Sequence, residues 1–291
     1  MCDYQNPRIP EGINVSKEHP LVDFGQMLLV VALSVAAAIV ALILLSDQLV
    51  RHIPLRYEAK IAEKIDGWLP GLDSRDSLKN HDHRAVEQYL LTLANELRDE
   101  VGLPSDMPLT VHYVDSDITN AYATLNGQLV IFRGLLEAVE SENGLAFVMA
   151  HELGHLRERH PMLALGRGVV VSTALLAVAG VSESAVPDWL INIGGQTTLL
   201  SFSRGMELDA DELALHAVNA HYGHIGGAEE LFDFIADESD VRPPELLSTH
   251  PSGERRVARF HTMMADNGWR ADGALTPLPN LLKEEKRVVA Y

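Results

Sequence analysis

The segment from His151 to His155 reads His-Glu-Leu-Gly-His and lies in a stretch with helical character. Two histidines four residues apart lie on one face of an α-helix, about one turn from each other. Both imidazoles can therefore reach one metal ion, and Glu152 projects close enough to handle the proton of a water bound there. The apolar run 144–150 predicts that this helix is buried, and burial of such polar groups is costly unless they are paired or bind a metal. The segment therefore favours a fold built around a buried metal-binding helix.

A catalytic zinc ion needs three protein ligands and keeps its fourth position for water. His160 is the nearest further histidine, but it follows His155 by five residues and so points away from the metal face of a continuous helix. Pro161 ends or kinks the helix directly afterwards. We therefore interpret His160 as a helix-end residue and exclude it as a ligand.

The segment 203–214 offers better candidates for the rest of the site. Glu207 and Asp211 are four residues apart and share one helix face. Glu207 is the predicted third ligand, and Asp211 would accept a hydrogen bond from the outer nitrogen of a ligating histidine. Asp209 and Glu212 also permit a solvated acidic helix face, an alternative that the His-Glu-x-x-His helix makes less favourable.

Four motifs in order give the chain a family resemblance. Residues 203–211 match the pattern Ser-Arg-x-x-Glu-x-x-Ala-Asp, residues 120–123 read Asn-Ala-Tyr-Ala, and residues 250–256 contain His-Pro followed by arginines. Together with the His-Glu-x-x-His helix, these segments resemble the HtpX/Oma-type zinc metallopeptidases, a gluzincin-type family that includes the CAAX prenyl endopeptidases. The resemblance covers about residues 85–262.

The resemblance implies an α+β fold, with a mainly helical zincin-like metallopeptidase domain that contains a small β-sheet and follows a single transmembrane helix. It implies one Zn²⁺ per chain, a metal-activated water and peptide-bond hydrolysis. An arginine of the His-Pro…Arg motif is expected to contact substrate, and Arg255 stays open as a rival to Arg256. The predicted site comprises the catalytic residues Glu152 and His250 (the latter as oxyanion donor), the metal ligands His151, His155 and Glu207, the outer partner Asp211, and the substrate-binding residues Asn120, Ala121 and Arg256.

The residues around Asn126-Gly127 predict a β-hairpin. This dipeptide favours a two-residue turn, and it joins 118–125 to 128–133, which are rich in β-branched and aromatic residues. Residues 108–114 are a candidate for a further strand. An exposed strand edge beside the metal would let a peptide substrate add as another strand.

Residues 24–46 contain no charged side chain and are rich in Leu, Val, Ala and Ile. A helix of this length spans roughly 34 Å, which is enough for the hydrocarbon core of a bilayer. A signal peptide would begin nearer Met1 and carry a basic start, so an uncleaved anchor in the plasma (inner) membrane is expected. The count of Lys and Arg residues on each side of the anchor favours a catalytic domain in the cytoplasm, whereas many Oma-like proteins face away from it. The side of the membrane on which the domain lies therefore stays open.

The apolar stretches 168–181 and 185–202 are short or interrupted by polar residues, and they predict a helical hairpin that packs on the core or dips into the bilayer surface. The predicted organisation is an N-terminal tail over 1–20, a transmembrane anchor over 21–46, a juxtamembrane linker over 47–84, a zinc metallopeptidase domain over 85–266 and a loosely held tail over 267–291.

The formal charge of −18 argues against nucleic acid as a partner, which leaves protein or peptide substrates and the lipid bilayer. The predicted function is a membrane-anchored zinc endopeptidase in membrane protein quality control. A catalytically silent chaperone or adaptor is one alternative, and the intact Glu152 argues against it. A zinc hydrolase of a non-peptide substrate is the other, and the predicted strand edge argues against that.

Overall fold

The computed structural model describes residues 20–65, 81–179, 202–230, 250 and 254–283. The fold is α+β, as predicted, with many helices and one small sheet. Its helices are α1 (Pro20–Val50), α2 (Leu55–Ile65), α3 (His81–Val101), α4 (Arg133–Ala138), α5 (Glu142–Arg157), α6 (His160–Ala179), α7 (Arg204–Tyr222), α8 (Glu254–Asn267) and α9 (Asn280–Lys283). Its strands are β1 (Thr110–Val114), β2 (Ala121–Thr124) and β3 (Gln128–Phe132).

Helix α1 contains the predicted anchor 24–46 and continues four residues beyond it to Val50. Within the described residues, Leu21–Val50 is the one helix long and apolar enough to cross a membrane, and its most apolar 18 residues are not buried inside the protein. Large aliphatic side chains along it are exposed, for example Leu28 and Leu33. Exposed leucines over such a length are typical of a helix whose surroundings are lipid.

The predicted juxtamembrane linker contains structure that the sequence interpretation did not anticipate. Helix α2 occupies Leu55–Ile65, and the side chains of Glu58 and Ala62 on it are buried. Leu55 and Ala62 lie about two turns apart on this helix and both pack against buried apolar side chains, so the helical periodicity that indicates α2 is present in the sequence. The segment after α1 is therefore, in its described part, a packed element.

The small sheet has the strand order β1-β3-β2. Strand β2 runs antiparallel to β3 with Ala121 opposite Ile131, while β1 runs parallel to β3. Asn126 and Gly127 both have positive φ and lie in the three-residue loop Leu125–Gly127 between β2 and β3. The predicted hairpin is therefore confirmed, with somewhat shorter strands and one loop residue more than the expected two-residue turn. A Cβ on Gly127 would lie 1.7 Å from the Pro108 carbonyl oxygen, so only glycine fits there.

Helices α3, α5 and α7 and the sheet surround the main hydrophobic core. Helix α5 is buried from Asn143 to Leu156, because it lies between α7 on one side and the sheet on another. A Cβ built on Gly154 would lie 3.2 Å from the Cα of Ala210, so the axes of α5 and α7 approach closely at this point. The glycine inside the His-Glu-x-x-His motif thus sets the distance between the two helices.

A second hydrophobic cluster joins the end of α1 to the sheet and to the start of α7. Its members are Val50, Ala62, Val114, Tyr122, Leu125, Val130, Phe132, Met162, Leu163, Ala164, Phe202 and Met206. Helix α6 packs along α1, and the rest of the predicted hairpin, residues 180–201, lies outside the described residues. The membrane helix is therefore packed against the rest of the protein at its C-terminal end.

The described part of the C-terminal segment differs from the expected loose tail. Pro277 forms a β-bridge with Ser141, and the N–H of Glu142 donates to the carbonyl oxygen of Thr276 at 2.9 Å. Leu278 and Leu282 are buried in the main core. The expectation of a loosely held tail is therefore wrong as far as Lys283, because two leucines there complete the core.

Candidate metal and catalytic site

Helix α5 carries both histidines and the glutamate of the sequence motif at the centre of the protein. It begins at Ser141, whose hydroxyl accepts a hydrogen bond from the Gly144 N–H and so caps the helix. His151, Glu152 and His155 are all buried about three to four turns further along. An internal helix with a capped start holds these side chains in fixed positions.

Helix α7 supplies the acidic residues. Ser203 caps its first turn by accepting from the Met206 N–H, and Glu207 follows one turn later. Glu207 and Asp211 are both buried, and both lie on the side of α7 that faces α5. Asp209 is exposed, as expected for the alternative of a solvated acidic helix face, but Glu207 and Asp211 are not.

The structure brings His151, His155 and Glu207 together as predicted for a metal site. The Nε2 atoms of the histidines are 3.0 Å apart, and each lies 3.5 Å from a carboxylate oxygen of Glu207. A tetrahedral zinc site with metal–nitrogen bonds of about 2.0–2.1 Å separates its ligand atoms by about 3.3 Å. The donor set and its spacing therefore fit a zinc ion.

His250 lies at the same centre. Its Nδ1 is 3.2 Å from Glu207 Oε1 and 3.3 Å from His151 Nε2, and its Nε2 is 3.3 Å from Glu152 Oε1. Donor atoms of His250 and of the three predicted ligands all lie within 4.8 Å of one another. His250 therefore lies within reach of both the metal centre and Glu152, the predicted base. This position is compatible with an oxyanion donor or with a fourth metal ligand.

Both predicted ligand histidines have a partner on the outer ring nitrogen. His151 Nδ1 lies 2.9 Å from Asp211 Oδ1, the arrangement predicted for Asp211. His155 Nδ1 lies 2.9 Å from the Nδ1 of His160, and the ring of Phe202 stacks on His155 at a centroid distance of 4.0 Å. Such partners fix the orientation of a ligating imidazole and leave Nε2 for the metal.

The role of His160 beside His155 was missed in the sequence. Helix α5 ends at Arg157 and His160 begins α6, so the helix breaks just before the expected point, and the exclusion of His160 as a ligand stays a prediction. The break returns the His160 ring to the site, where burial lowers its pKa to about 4. A neutral ring can accept the N–H of His155. A ligating histidine almost always has a hydrogen-bond partner on its outer nitrogen. This rule could have indicated that a nearby residue such as His160 contacts His155.

Arg256 binds carboxylates of the site. Its Nε and Nη2 donate to the two oxygens of Asp211 at 2.7 and 2.8 Å, and its Nη1 lies 3.0 Å from Glu207 Oε2. Arg256 is buried, and ion pairing with Asp211 outweighs burial and raises its pKa. Substrate binding by Arg256 stays a prediction, and the three contacts described above are to two residues of α7. The side chain of Arg255 lies outside the described residues.

Glu152 lies between the metal donors and the sheet. Its Oε2 accepts a 2.7 Å hydrogen bond from the main-chain N–H of Ala123 on β2. Burial raises the pKa of Glu152, although the charges of His250 and His151 oppose this effect. A carboxyl group whose pKa is raised towards neutrality is suited to accepting and returning a proton.

The two buried carboxylates of α7 have the opposite electrostatic character. Burial acts against ionisation of Glu207, but the charges of His250 and His151 outweigh it and lower its pKa. Burial likewise opposes the charge on Asp211, and hydrogen bonds from His151 and Arg256 lower its pKa. Glu207 and Asp211 on α7 therefore favour the charged form, whereas Glu152 on α5 takes up a proton more readily.

The edge of β2 that faces α5 is the edge predicted to bind substrate. The Phe132 N–H donates to the Asn120 carbonyl oxygen, and antiparallel pairing alternates from residue to residue. The main-chain groups of Ala121 and Ala123 therefore point away from β3, towards Glu152, in agreement with the Ala123 hydrogen bond. Asn120 and Ala121 are both buried, so the expectation of an exposed edge is wrong for this strand. Substrate binding by the main chain of Ala121 or by the side chain of Asn120 stays a prediction.

Comparison with known proteins identifies the family of this chain. The model of Peptidase family M48 matches residues 82–264, which is more than half of the chain. A zebrafish (Danio rerio) protein named "Metalloendopeptidase OMA1, mitochondrial" is 30% identical over 63% of this chain and 41% of its own length. The "Beta-barrel assembly-enhancing protease" of Yersinia pestis is 27% identical over 60% of this chain and 38% of its own length. The human "Metalloendopeptidase OMA1, mitochondrial" is 29% identical over 70% and 40%.

The present chain spans about two fifths of the length of these relatives. The match of the family model begins in α3 and ends in α8, so it contains every residue of the candidate site. The chain belongs to Peptidase family M48.

Proposed function

We propose that this protein is a membrane-anchored zinc endopeptidase that acts in membrane protein quality control at the plasma (inner) membrane. The observation that carries the proposal is the position of Glu152, which contacts the metal-donor cluster on one side and the edge of β2 on the other. A base between a metal and a peptide-binding strand is the arrangement that peptide hydrolysis requires.

His151, His155 and Glu207 would hold one zinc ion. The ion would supply a water made acidic near neutral pH and a positive charge for the carbonyl oxygen of the substrate. Asp211 would keep His151 in the tautomer that leaves Nε2 unprotonated, and His160 would do the same for His155. Arg256 would hold Asp211 and Glu207 in place through its three contacts.

Glu152 would take the proton of the attacking water at Oε1 and pass it to the leaving amine. Its Oε2 is already occupied by the Ala123 N–H, so the carboxyl group is fixed and Oε1 points into the site. His250 would donate from Nε2 to the oxyanion, because that nitrogen lies 3.3 Å from Glu152 Oε1 and therefore beside the reacting carbonyl. Neither step needs an acyl-enzyme.

The substrate would add along β2 as an extended segment. Main-chain hydrogen bonds to Ala121 would position the scissile bond with little demand on side chains, and Asn120 would assist from its side chain. The relatives are named for endopeptidase activity and for enhancement of β-barrel assembly, and such names agree with a role in protein quality control. The helix α1, which contains residues 24–46, would place this activity at a bilayer.

The test uses full-length protein purified in detergent with casein as substrate. We expect casein cleavage to cease when a chelator removes the metal and to return when stoichiometric Zn²⁺ is added. Magnesium added in place of zinc should not restore it, because imidazole ligands favour zinc over magnesium. Full activity of protein shown by elemental analysis to be free of zinc would refute the proposal.

A further inference from the structure

Arg159 connects the metal-binding helix to the end of the membrane helix. It lies two residues after α5 and adopts a positive φ of 58°, a conformation that is uncommon for a residue with a side chain. Its Nη1 donates to the carbonyl oxygens of Val50 and Ile53, at 3.0 and 2.5 Å. The last carbonyl groups of a helix have no partner within the helix, so Arg159 caps the C-terminal end of α1.

Glu58 completes this connection and extends it to the sheet. Its Oε2 accepts from Arg159 Nη2 at 2.8 Å, and its Oε1 accepts from the main-chain N–H of Asn126 at 2.9 Å. Asn126 lies in the turn directly after β2. Glu58 is 3% exposed, so one buried carboxylate holds both the Arg159 guanidinium and the turn beside the substrate-binding edge.

Two further contacts fix α1 against the helix that follows α5. Arg167 of α6 pairs with both oxygens of Asp47 on α1, at 3.0 and 2.8 Å. A Cβ built on Gly166 would lie 2.6 Å from the Ser46 hydroxyl oxygen, so the two helices approach closely there. These contacts lie where the charge-free stretch 24–46 ends, and therefore at the expected bilayer surface.

An apolar layer links the same elements to the metal centre. Val50 at the end of α1, Ala62 on α2 and Tyr122 on β2 belong to one cluster with Phe202. Phe202 in turn stacks on the ring of His155. Both polar and apolar contacts therefore hold the end of the membrane helix against α2, β2 and the metal site.

We propose that Glu58 and Arg159 are positioning residues that fix the cleavage centre at a short, constant distance from the bilayer, so that the enzyme selects peptide bonds in the membrane-proximal segments of membrane proteins. The proposal rests on the peptidase function proposed above and names its substrate class. A centre fixed to α1 cannot rise to bonds far from the membrane, and it cannot descend into the bilayer. Selection by distance is also consistent with a strand edge that binds the main chain of a substrate and contributes little sequence specificity.

The structure limits that distance. His155 precedes Arg159 by four residues, or about 6 Å along a helix, and Val50 follows Ser46 by the same amount. With the length of one arginine side chain between them, the metal centre lies within roughly 20 Å of the bilayer surface, which is about six residues of extended chain. Bonds within about six residues of a transmembrane span are therefore the expected targets.

The test places a casein-derived sequence that the enzyme cleaves at varied distances from the span of a single-pass reporter protein. Enzyme and reporter are reconstituted together in phosphatidylcholine–phosphatidylglycerol vesicles, and cleavage at five residues from the span is compared with cleavage at thirty. For the wild type we expect at least a tenfold preference for the near position. Casein cleavage in detergent and bound zinc are measured in parallel.

Glu58→Gln is the informative variant, because glutamine can still accept from Asn126 but loses the ion pair with Arg159. We expect its near-to-far ratio to fall by about tenfold, the factor that corresponds to loss of one buried charge-assisted hydrogen bond, with zinc content and casein cleavage unchanged. Arg159→Lys, which cannot reach two carbonyl oxygens and Glu58 together, should give the same fall and serves as the second variant. Glu63→Gln, an exposed glutamate on the same helix, is the matched control and should keep the wild-type ratio.

Each outcome decides between the two proposals. A wild-type enzyme that cleaves casein but shows no distance preference overturns this inference and leaves the peptidase function intact. Equal ratios in Glu58→Gln and Glu63→Gln also overturn it, as does a joint loss of zinc and casein cleavage in both Glu58→Gln and Arg159→Lys, which would make the contacts a requirement of folding alone. A zinc-loaded wild type that cleaves neither substrate refutes the peptidase function itself.

Discussion

The main-chain N–H of Ala123 donates a 2.7 Å hydrogen bond to Glu152 Oε2. This bond joins the strand edge proposed to bind substrate to the group proposed as the general base, and it leaves Oε1 to face His250. A substrate strand that adds beside Ala121 would therefore meet a base whose orientation is already set. Preorganisation of this kind reduces the cost of aligning the reacting groups.

Replacement of Glu152 by glutamine should separate metal binding from catalysis. Glutamine keeps an oxygen for the Ala123 N–H but cannot accept the proton of the water, so kcat for casein should fall by about 10²–10⁴-fold with one zinc still bound. Elemental analysis and initial rates measure the two effects. Glu158→Gln, which changes an exposed glutamate just beyond α5, should have no effect. Wild-type cleavage by Glu152→Gln would contradict the assignment of the base.

Local signals in the sequence predicted the parts of the site that lie on single elements. The four-residue spacing within His151–His155 and between Glu207 and Asp211 indicated two helix faces, and Asn126-Gly127 indicated the hairpin. These predictions succeeded because periodicity and turn chemistry are properties of a few adjacent residues. The shared centre also required the family resemblance, since spacing alone did not show that α5 and α7 touch.

Contacts between distant segments could not be predicted in this way. Glu58 and Arg159 are about one hundred residues apart, and neither lies in a pattern that indicates burial. Arg256 was expected to bind substrate, but whether its guanidinium would face substrate or Asp211 depends on how α8 packs against α7. Tertiary packing decides such pairings, and one sequence carries no local signal for it.

Asp211 is expected to tune the metal affinity. Asp211→Asn keeps the shape of the side chain but removes the charge that faces His151 and Arg256, so zinc affinity should fall by about 10–100-fold. Competition with a chromophoric zinc chelator gives the affinity. The matched variant is Asp209→Asn, which changes an exposed carboxylate on the same helix and should leave the affinity as it is. Equal affinities of the two variants would show that Asp211 does not orient His151.

His250→Ala distinguishes an oxyanion donor from a metal ligand. As an oxyanion donor, His250 should be dispensable for zinc binding, and its removal should lower kcat by about 10²–10³-fold with little change in KM. Rates over a range of casein concentrations and zinc content per chain provide the comparison. A loss of zinc in this variant would instead assign His250 to the metal as a fourth ligand, consistent with its distance of 3.2 Å to Glu207.

Gly154 controls the separation of α5 and α7. The side chain of Gly154→Val would meet the Ala210 backbone, where even a Cβ lies 3.2 Å from the Ala210 Cα, so overpacking should cost about 1–3 kcal/mol of unfolding free energy. Because Glu207 lies one turn before Ala210, the shift should also weaken zinc binding. Gly205→Ala, at a position where a Cβ meets nothing nearer than 3.9 Å, should leave zinc affinity unchanged. Thermal unfolding and zinc titration of both variants provide the check, and tight zinc binding by Gly154→Val would contradict it.

Two buried phenols should make the protein sensitive to alkaline pH. Tyr89 and Tyr222 both donate to the carboxylate of Glu142, at 2.5 and 3.0 Å, and burial together with this carboxylate raises the pKa of each phenol above its ordinary value of 10.0. In the unfolded chain the phenols ionise first as the pH rises, so their stabilising contribution is fully present below pH 10 and is lost above it. The melting temperature of the wild type should therefore fall from pH 9 to pH 11, and it should fall less in Tyr89→Phe. Tyr57→Phe, which changes an exposed tyrosine of α2, should follow the wild type, and identical pH profiles for all three proteins would show that these phenols do not couple folding to pH.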